Sequence, residues 1–363
     1  MIKITIALIL IFIAQPAIAN NPGVEYINIP IPDESHANEE IIEVSAPRRP
    51  GDFHAGMAFF AFGNDLDFRS NVEKTLDHLA SLNVNSLSFS FPVFQDDWRG
   101  TDPYVDKNRT PTDENIIFFI RQAKQRGFTV MIRPLLDESS FINDGKWRGL
   151  IEPKDRREWF QSYSDIVLRY AEIAQKEGAE ILNIGTELSS LERETGMWTD
   201  MVNEIRKIYD GKLTYSVNWH NAFDNDFSWN IVDFISIDAF FPKEELGKEA
   251  TTEEMIQAWK PWIEEVKKLK EEHDKPVVFT EVGTVSQAGS FSHSWRPEHG
   301  TETDMEAQER YYKATLESLE AVDGIYWWAV QANSIEKLED PGFSPLNKPA
   351  EEVIRKYYQN IQR

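Results

Sequence analysis

Two glutamates stand at positions where chemistry is expected. Glu187 closes the run Ile181-Leu182-Asn183-Ile184-Gly185-Thr186, and Glu281 follows Val277-Val278-Phe279-Thr280. Each places a carboxylate at the tip of an apolar segment, where burying an unpaired charge is costly. One such residue alone is ordinarily explained by a salt bridge to a nearby Arg or Lys. Two of them on corresponding segments, able to face each other, suit the cleavage of a glycosidic bond. That reaction needs one protonated carboxyl to give a proton to the leaving oxygen, and one ionised carboxylate to attack carbon or activate water. Other polar or aromatic side chains end neighbouring apolar runs: Arg133, Asn218, His220, Asp238 and the Trp327-Trp328 pair. Arg133 is expected to keep Glu281 ionised, since a nearby cation favours the charged carboxylate. Asn218 and His220 are candidates for sugar hydroxyls. Successive strand side chains alternate in direction, so only one of Trp327 and Trp328 is expected to face the site as a platform for a sugar ring.

The elements that must position these residues repeat in a regular way. Apolar runs rich in β-branched and aromatic residues lie at 54–62, 85–94, 129–137, 180–188, 212–220, 233–241, 276–283 and 324–331. Longer amphipathic segments follow at 66–82, 113–126, 155–177, 198–209, 253–271, 303–320 and 350–362, with a weak one at 221–230. Thr112 followed by Asp113 and Glu114 reads as a helix start, and Gly127 and Gly178 read as helix ends. Eight strand–helix units predict an α/β fold, a single-domain (β/α)8 barrel over residues 53–363, whose active site lies at the C-terminal ends of the strands. An open doubly wound sheet would carry a glycine-rich phosphate turn after its first strand, and Phe62-Gly63-Asn64-Asp65 is not one.

Composition narrows the chemistry. The chain has 363 residues, with 61 acidic and 38 basic side chains and a formal charge of −23, which argues against nucleic acid as a partner. It has no cysteine, so disulfides, thiolate metal sites and a cysteine nucleophile are excluded. No His-Glu-x-x-His pattern occurs among its seven histidines. No cofactor is called for. The 11 tryptophans fit a surface that stacks on sugar rings. At the N-terminus, Lys3, the apolar run 4–14 and Ala17-Ile18-Ala19 have the form of a signal peptide, residues 1–19, cleaved after Ala19. Residues 20–52, with Pro22, Pro30, Pro32, Pro47 and Pro50, read as a Pro- and acid-rich arm or linker. The expected protein is secreted or periplasmic, with no stable membrane insertion once the signal is removed.

Three segments carry a family resemblance. Ile184-Gly185-Thr186-Glu187-Leu188, Thr280-Glu281-Val282-Gly283 and Trp147-Arg148-Gly149-Leu150-Ile151-Glu152-Pro153 resemble glycoside hydrolase family 113, the barrel β-mannanases of clan A. The resemblance extends over most of the chain from about residue 54. It implies a retaining endo-β-1,4-mannanase acting by double displacement on a neutral oligo- or polysaccharide, with Glu187 as acid/base, Glu281 as nucleophile and Trp147 near the substrate. The sequence departs from the family at two places. Phe240-Phe241 follow Asp238-Ala239 where the family has tyrosines, one of which would bond the nucleophile, and Leu135-Leu136 follow Arg133-Pro134 where it has a histidine. These departures keep open a β-glucanase, an exo-acting β-glycosidase and a non-catalytic carbohydrate-binding barrel.

Overall fold

The computed structural model describes residues 53–361, apart from 225, 244–245, 296–301, 333 and 337–339. The expected signal segment 1–19 and arm 20–52 lie outside the described residues. Eight parallel strands close a barrel in chain order: β1 (His54–Phe60), β2 (Ser86–Val93), β3 (Thr129–Leu136), β4 (Ile181–Thr186), β5 (Lys212–Asn218), β6 (Ile235–Asp238), β7 (Val277–Val282) and β8 (Gly324–Val330). Pairing of β1 with β8, His54 opposite Gly324, completes the ring. Among the described residues seven α-helices surround it: α1 (Phe68–Ser81), α2 (Asp113–Gln125), α3 (Arg156–Glu177), α4 (Thr195–Ile205), α5 (Thr252–His273), α6 (Met305–Leu316) and α7 (Pro349–Ile361). Among the described residues the weak segment 221–230 shows no α-helix, and a 3-10 turn, Trp229–Ile231, lies between β5 and β6. Asn221, Asp224, Asp226 and Ser228 there offer side-chain bonds to the backbone that compete with a helix.

Local chemistry sets the helix ends. Thr112 accepts a bond from the Asn115 N–H at the start of α2. Thr251 and Glu254 form a reciprocal capping box on α5, satisfying two donors that the helix itself leaves free. Gly178 ends α3 at φ 73°, a backbone setting that a side chain disfavours.

The barrel interior is layered. Met131, Ile181, Val278 and Tyr326, with Phe234, make an apolar plug near its base. Above it lie small polar side chains that bond to one another: Asn183 Nδ2 donates to Ser216 Oγ (2.6 Å), which meets Thr280 Oγ1 (2.8 Å), and Thr214 meets Ser236 (2.7 Å). These short side chains leave room for one large cation, Arg133, which is wholly buried. The outward faces of the strands join the helices in a second, larger apolar core.

Candidate active site

Thr186 is the last residue of β4, and the chain then turns sharply, with Glu187 in the left-handed region at φ 54°. A non-glycine residue rarely adopts this conformation, which costs of order 1–3 kcal/mol unless the surroundings enforce it. Here they do: Glu187 N–H donates to Ser216 O (2.8 Å) and Leu188 N–H to the Tyr215 hydroxyl (2.8 Å). That hydroxyl in turn donates to buried Glu192 (3.0 Å), which also accepts from Asn221. Burial pushes the Glu192 carboxyl up to about 7. The Glu187 carboxylate accepts from Arg148 Nη1 at Oε2 (2.9 Å) and from Asn218 Nδ2 at Oε1 (2.5 Å). Asn218 is itself oriented by the residue two places on, since its Oδ1 meets His220 N–H (3.1 Å) and Nδ1 (2.6 Å). With Oδ1 so engaged, its NH2 is directed to Glu187.

Glu281 lies on β7 beside Asp238 of β6. Arg133 Nη2 sits 2.8 Å from Glu281 Oε1 and 2.8 Å from Asp238 Oδ2. Its N–H is aimed at Asp238, so Glu281 Oε1 gains an ion pair without a hydrogen bond. Thr280 completes the arrangement by donating to Asp238 Oδ1 (2.9 Å). One cation thus serves two buried carboxylates. Burial pushes Glu281 well above the usual carboxylate range and the Asp238 charge adds to this, with Arg133 opposing. Arg133 touches Glu281 as expected, and its cation opposes the upward push of burial and of Asp238.

A cleft is lined by Glu138, Trp147, Arg148, Glu187, Asn218, Trp219, Phe240, Glu281, Trp295, Trp328 and Phe343. Of the residues chosen from sequence, Glu187, Glu281, Trp147, Asn218 and Trp328 therefore share one opening. Arg133 and Asp238 lie beneath its floor, fully buried, where Arg133 joins Asp238 to Glu281. His220 stands beside the cleft and acts on Asn218. Trp327 is placed elsewhere: it is buried and stacks on Tyr312 of α6 at 3.8 Å, because adjacent residues of β8 point to opposite faces. As a substrate-binding residue it is a correction. Trp98 carries Lys146 and Arg99 against its ring.

Arg148, Glu138 and Phe343 are among the lining residues not chosen as site residues from sequence. Arg148 lay inside the Trp-Arg-Gly segment, and Gly149 explains its exposure to Glu187. A Cβ at Gly149 would fall 2.2 Å from the Trp147 ring, so Trp147 folds back over the glycine and Arg148 turns inward. Glu138 follows Asp137, the last residue of the run 129–137. The inward carboxylate is one residue further on. Phe343 comes from the loop before α7, distant in sequence from every strand end, and no pattern marks it. The walls are aromatic: Trp219 meets Trp295 at 4.9 Å, and Phe240 meets Phe343 at 6.3 Å.

The sequence pattern of glycoside hydrolase family 113 matches residues 57–343. The chain belongs to glycoside hydrolase family 113. It is a glycoside hydrolase with a carbohydrate substrate. No curated protein matches the sequence. Among solved structures, the family 113 β-mannanase AaManA from Alicyclobacillus acidocaldarius, in complex with ManMIm, is 25% identical with a TM-score of 0.74, covering 85% of this chain and 98% of that one. A second family 113 enzyme, a β-1,4-mannanase complex, is 24% identical with a TM-score of 0.75, covering 85% and 99%. The β-glucuronidase from Ruminococcus gnavus shares the barrel alone, at 13% identity, a TM-score of 0.57, and coverage of 85% of this chain and 50% of that one.

Proposed function

We propose that this family 113 enzyme is an endo-β-1,4-mannanase that retains anomeric configuration, with Glu187 as acid/base and Glu281 as nucleophile. The observation that carries the reading is the convergence of both glutamates, from β4 and β7, on one aromatic-walled cleft. In the first step Glu281 attacks the anomeric carbon while Glu187 protonates the departing oxygen. In the second, Glu187 takes a proton from water, which displaces Glu281. Asn218 and the Arg148 guanidinium fix the Glu187 carboxyl for both steps. Trp328, Trp219 and Trp295 offer flat apolar faces to sugar rings. Among the described residues, three carboxylates and one arginine, Arg148, line the cleft. Arg148 is engaged by Glu138 and Glu187, so a neutral glycan fits and a polyuronate does not.

A specific observation supports a second reading, a β-glucanase or exo-acting β-glycosidase on the same barrel. Phe240 packs with Phe60, Leu135 and Trp328 and brings no hydroxyl to Glu281. Activity on glucomannan, galactomannan, xylan, laminarin and cellulose decides between them. Mixed oligosaccharides from mannan at the earliest times support the mannanase; mono- or disaccharide alone from the outset supports exo action. Glu281→Ala should abolish turnover of every substrate. Glu187→Ala should spare substrates with activated leaving groups, and added azide should then give a β-azide product; an α-azide would overturn retention.

We also infer export, supported by Lys3, the apolar run 4–14 and Ala17-Ile18-Ala19. Among the described residues no helix is long and apolar enough to cross a membrane. Mass spectrometry of the protein from the medium or periplasm should find Asn20 at its N-terminus.

A further inference from the structure

A cation bonded to a carboxyl favours its ionised form, yet an acid/base must also hold a proton. Arg148 donates to Glu187 at 2.9 Å, and its guanidinium is buried. What offsets that cation is visible on its other side. Glu138 Oε2 accepts the Arg148 backbone N–H (3.1 Å) and lies 3.6 Å from Arg148 Nη2, while Arg148 Nε donates to Leu136 O (2.8 Å). Glu138 is therefore bound at both ends of the same residue, and it too is buried.

We propose that Glu138 is a positioning residue for the acid/base: it seats Arg148 against Glu187 and supplies the counter-charge that lets Glu187 cycle between its protonated and ionised forms. The proposal rests on the assignment of Glu187 above. Geometry makes the set a linear relay of charge, minus, plus, minus, running from the end of β3 through the following loop to the end of β4. Other charged groups face it: Asp137 beside Glu138, Glu192 behind Glu187, His220 from the β5 loop, and Glu281 with Asp238 and Arg133 from across the barrel. Among the described acids other than Glu187, only Glu138 is in contact with Arg148.

The test is the pH profile of kcat/KM on unactivated mannooligosaccharides, whose basic limb reports the acid that protonates the leaving group. Glu138→Gln keeps the acceptor for the Arg148 N–H and removes the charge. Its basic limb should move to lower pH by about one unit, while aryl glycosides with leaving groups that need no proton lose little. Glu138→Asp keeps the charge, and its limb should stay in place. Arg148→Gln removes the cation and should move the limb the opposite way, which tests the coupling even where Glu138→Gln does not fold. A limb unmoved in folded Glu138→Gln, or unmoved in Arg148→Gln, overturns the proposal. Glu187→Ala, assayed alongside, separates the two readings. Azide rescue of that variant with unmoved limbs overturns this inference alone; no rescue removes the assignment of Glu187 and this inference with it.

Discussion

Glu281 works under an unusual constraint, because Arg133 is divided between it and Asp238. A nucleophile must be ionised, and burial with the neighbouring Asp238 charge pushes Glu281 upward. The acidic limb of kcat/KM is therefore expected above the ordinary carboxylate range. Asp238→Asn keeps the shape of the side chain, removes the like charge and leaves Arg133 to Glu281 alone. Both changes favour ionised Glu281, so the acidic limb should move to lower pH. A profile measured with an activated aryl glycoside isolates this limb, and an upward or absent shift would show that Asp238 does not tune the nucleophile. The departure at Phe240 acts at the same scale. Glu281 Oε1 has no hydrogen-bond donor among the described residues, so its acidity is set by charge and burial.

The loop between β3 and α3 carries Trp147 and Arg148 into the cleft, and its shape depends on Gly149. A methyl group there would lie 2.2 to 2.6 Å from three carbons of the Trp147 ring. The ring must then swing away, taking with it one wall of the cleft and the seat of Arg148. Gly149→Ala should lower kcat/KM on oligosaccharides about ten- to a hundredfold, since small misplacements near a reacting centre have effects of this size. Its thermal midpoint should fall by only a few degrees, because the ring can move toward solvent. Steady-state kinetics beside thermal unfolding checks this, and unchanged kinetics would remove the loop from the mechanism. At the barrel's other side Gly283 is equally constrained: its Cβ would approach the Trp328 carbonyl oxygen at 2.6 Å, a backbone atom that cannot turn aside.

For the molecule as a whole, one buried cation makes stability depend on pH. Lys243, 3% exposed, lies over the Trp259 ring at 4.0 Å and donates to Phe241 O (3.0 Å). Its backbone N–H donates to Ser292 O, tying the loops after β6 and β7 together. Burial lowers the ammonium to about 7, against about 10.4 in an unfolded chain. Between those values the unfolded state binds the extra proton, so stability rises with pH across that window; below about 7 the full cost of the buried charge is present. Lys243→Met should therefore be more stable than wild type at pH 6 to 7, with the difference shrinking towards pH 10. Unfolding midpoints across that range test it, and a constant difference would show that Lys243 does not titrate as described.

The strands, seven helices and both glutamates were legible in the sequence because they rest on local rules. Short apolar runs such as 276–283, amphipathic segments such as 155–177 and caps at Thr112 and Gly178 are read within a few residues of themselves. Closure of eight parallel strands then obliges residues at strand ends to meet, which brought Glu187 and Glu281 together. Tertiary structure decided whatever depended on a distant neighbour or on the exact residue at which a strand turns. Alternation along β8 required Trp327 and Trp328 to part, but only the packed helix α6, with Tyr312, assigned Trp327 to the helix layer. The end of β3 shows the same limit, since a shift of one residue exchanges Asp137 for Glu138 as the group that enters the cleft. Phe343 reaches the wall from a loop near the end of the chain. The sharing of Arg133 between Asp238 and Glu281 is likewise decided in space. Charge acts over ångströms irrespective of sequence separation, and burial is a property of the closed barrel.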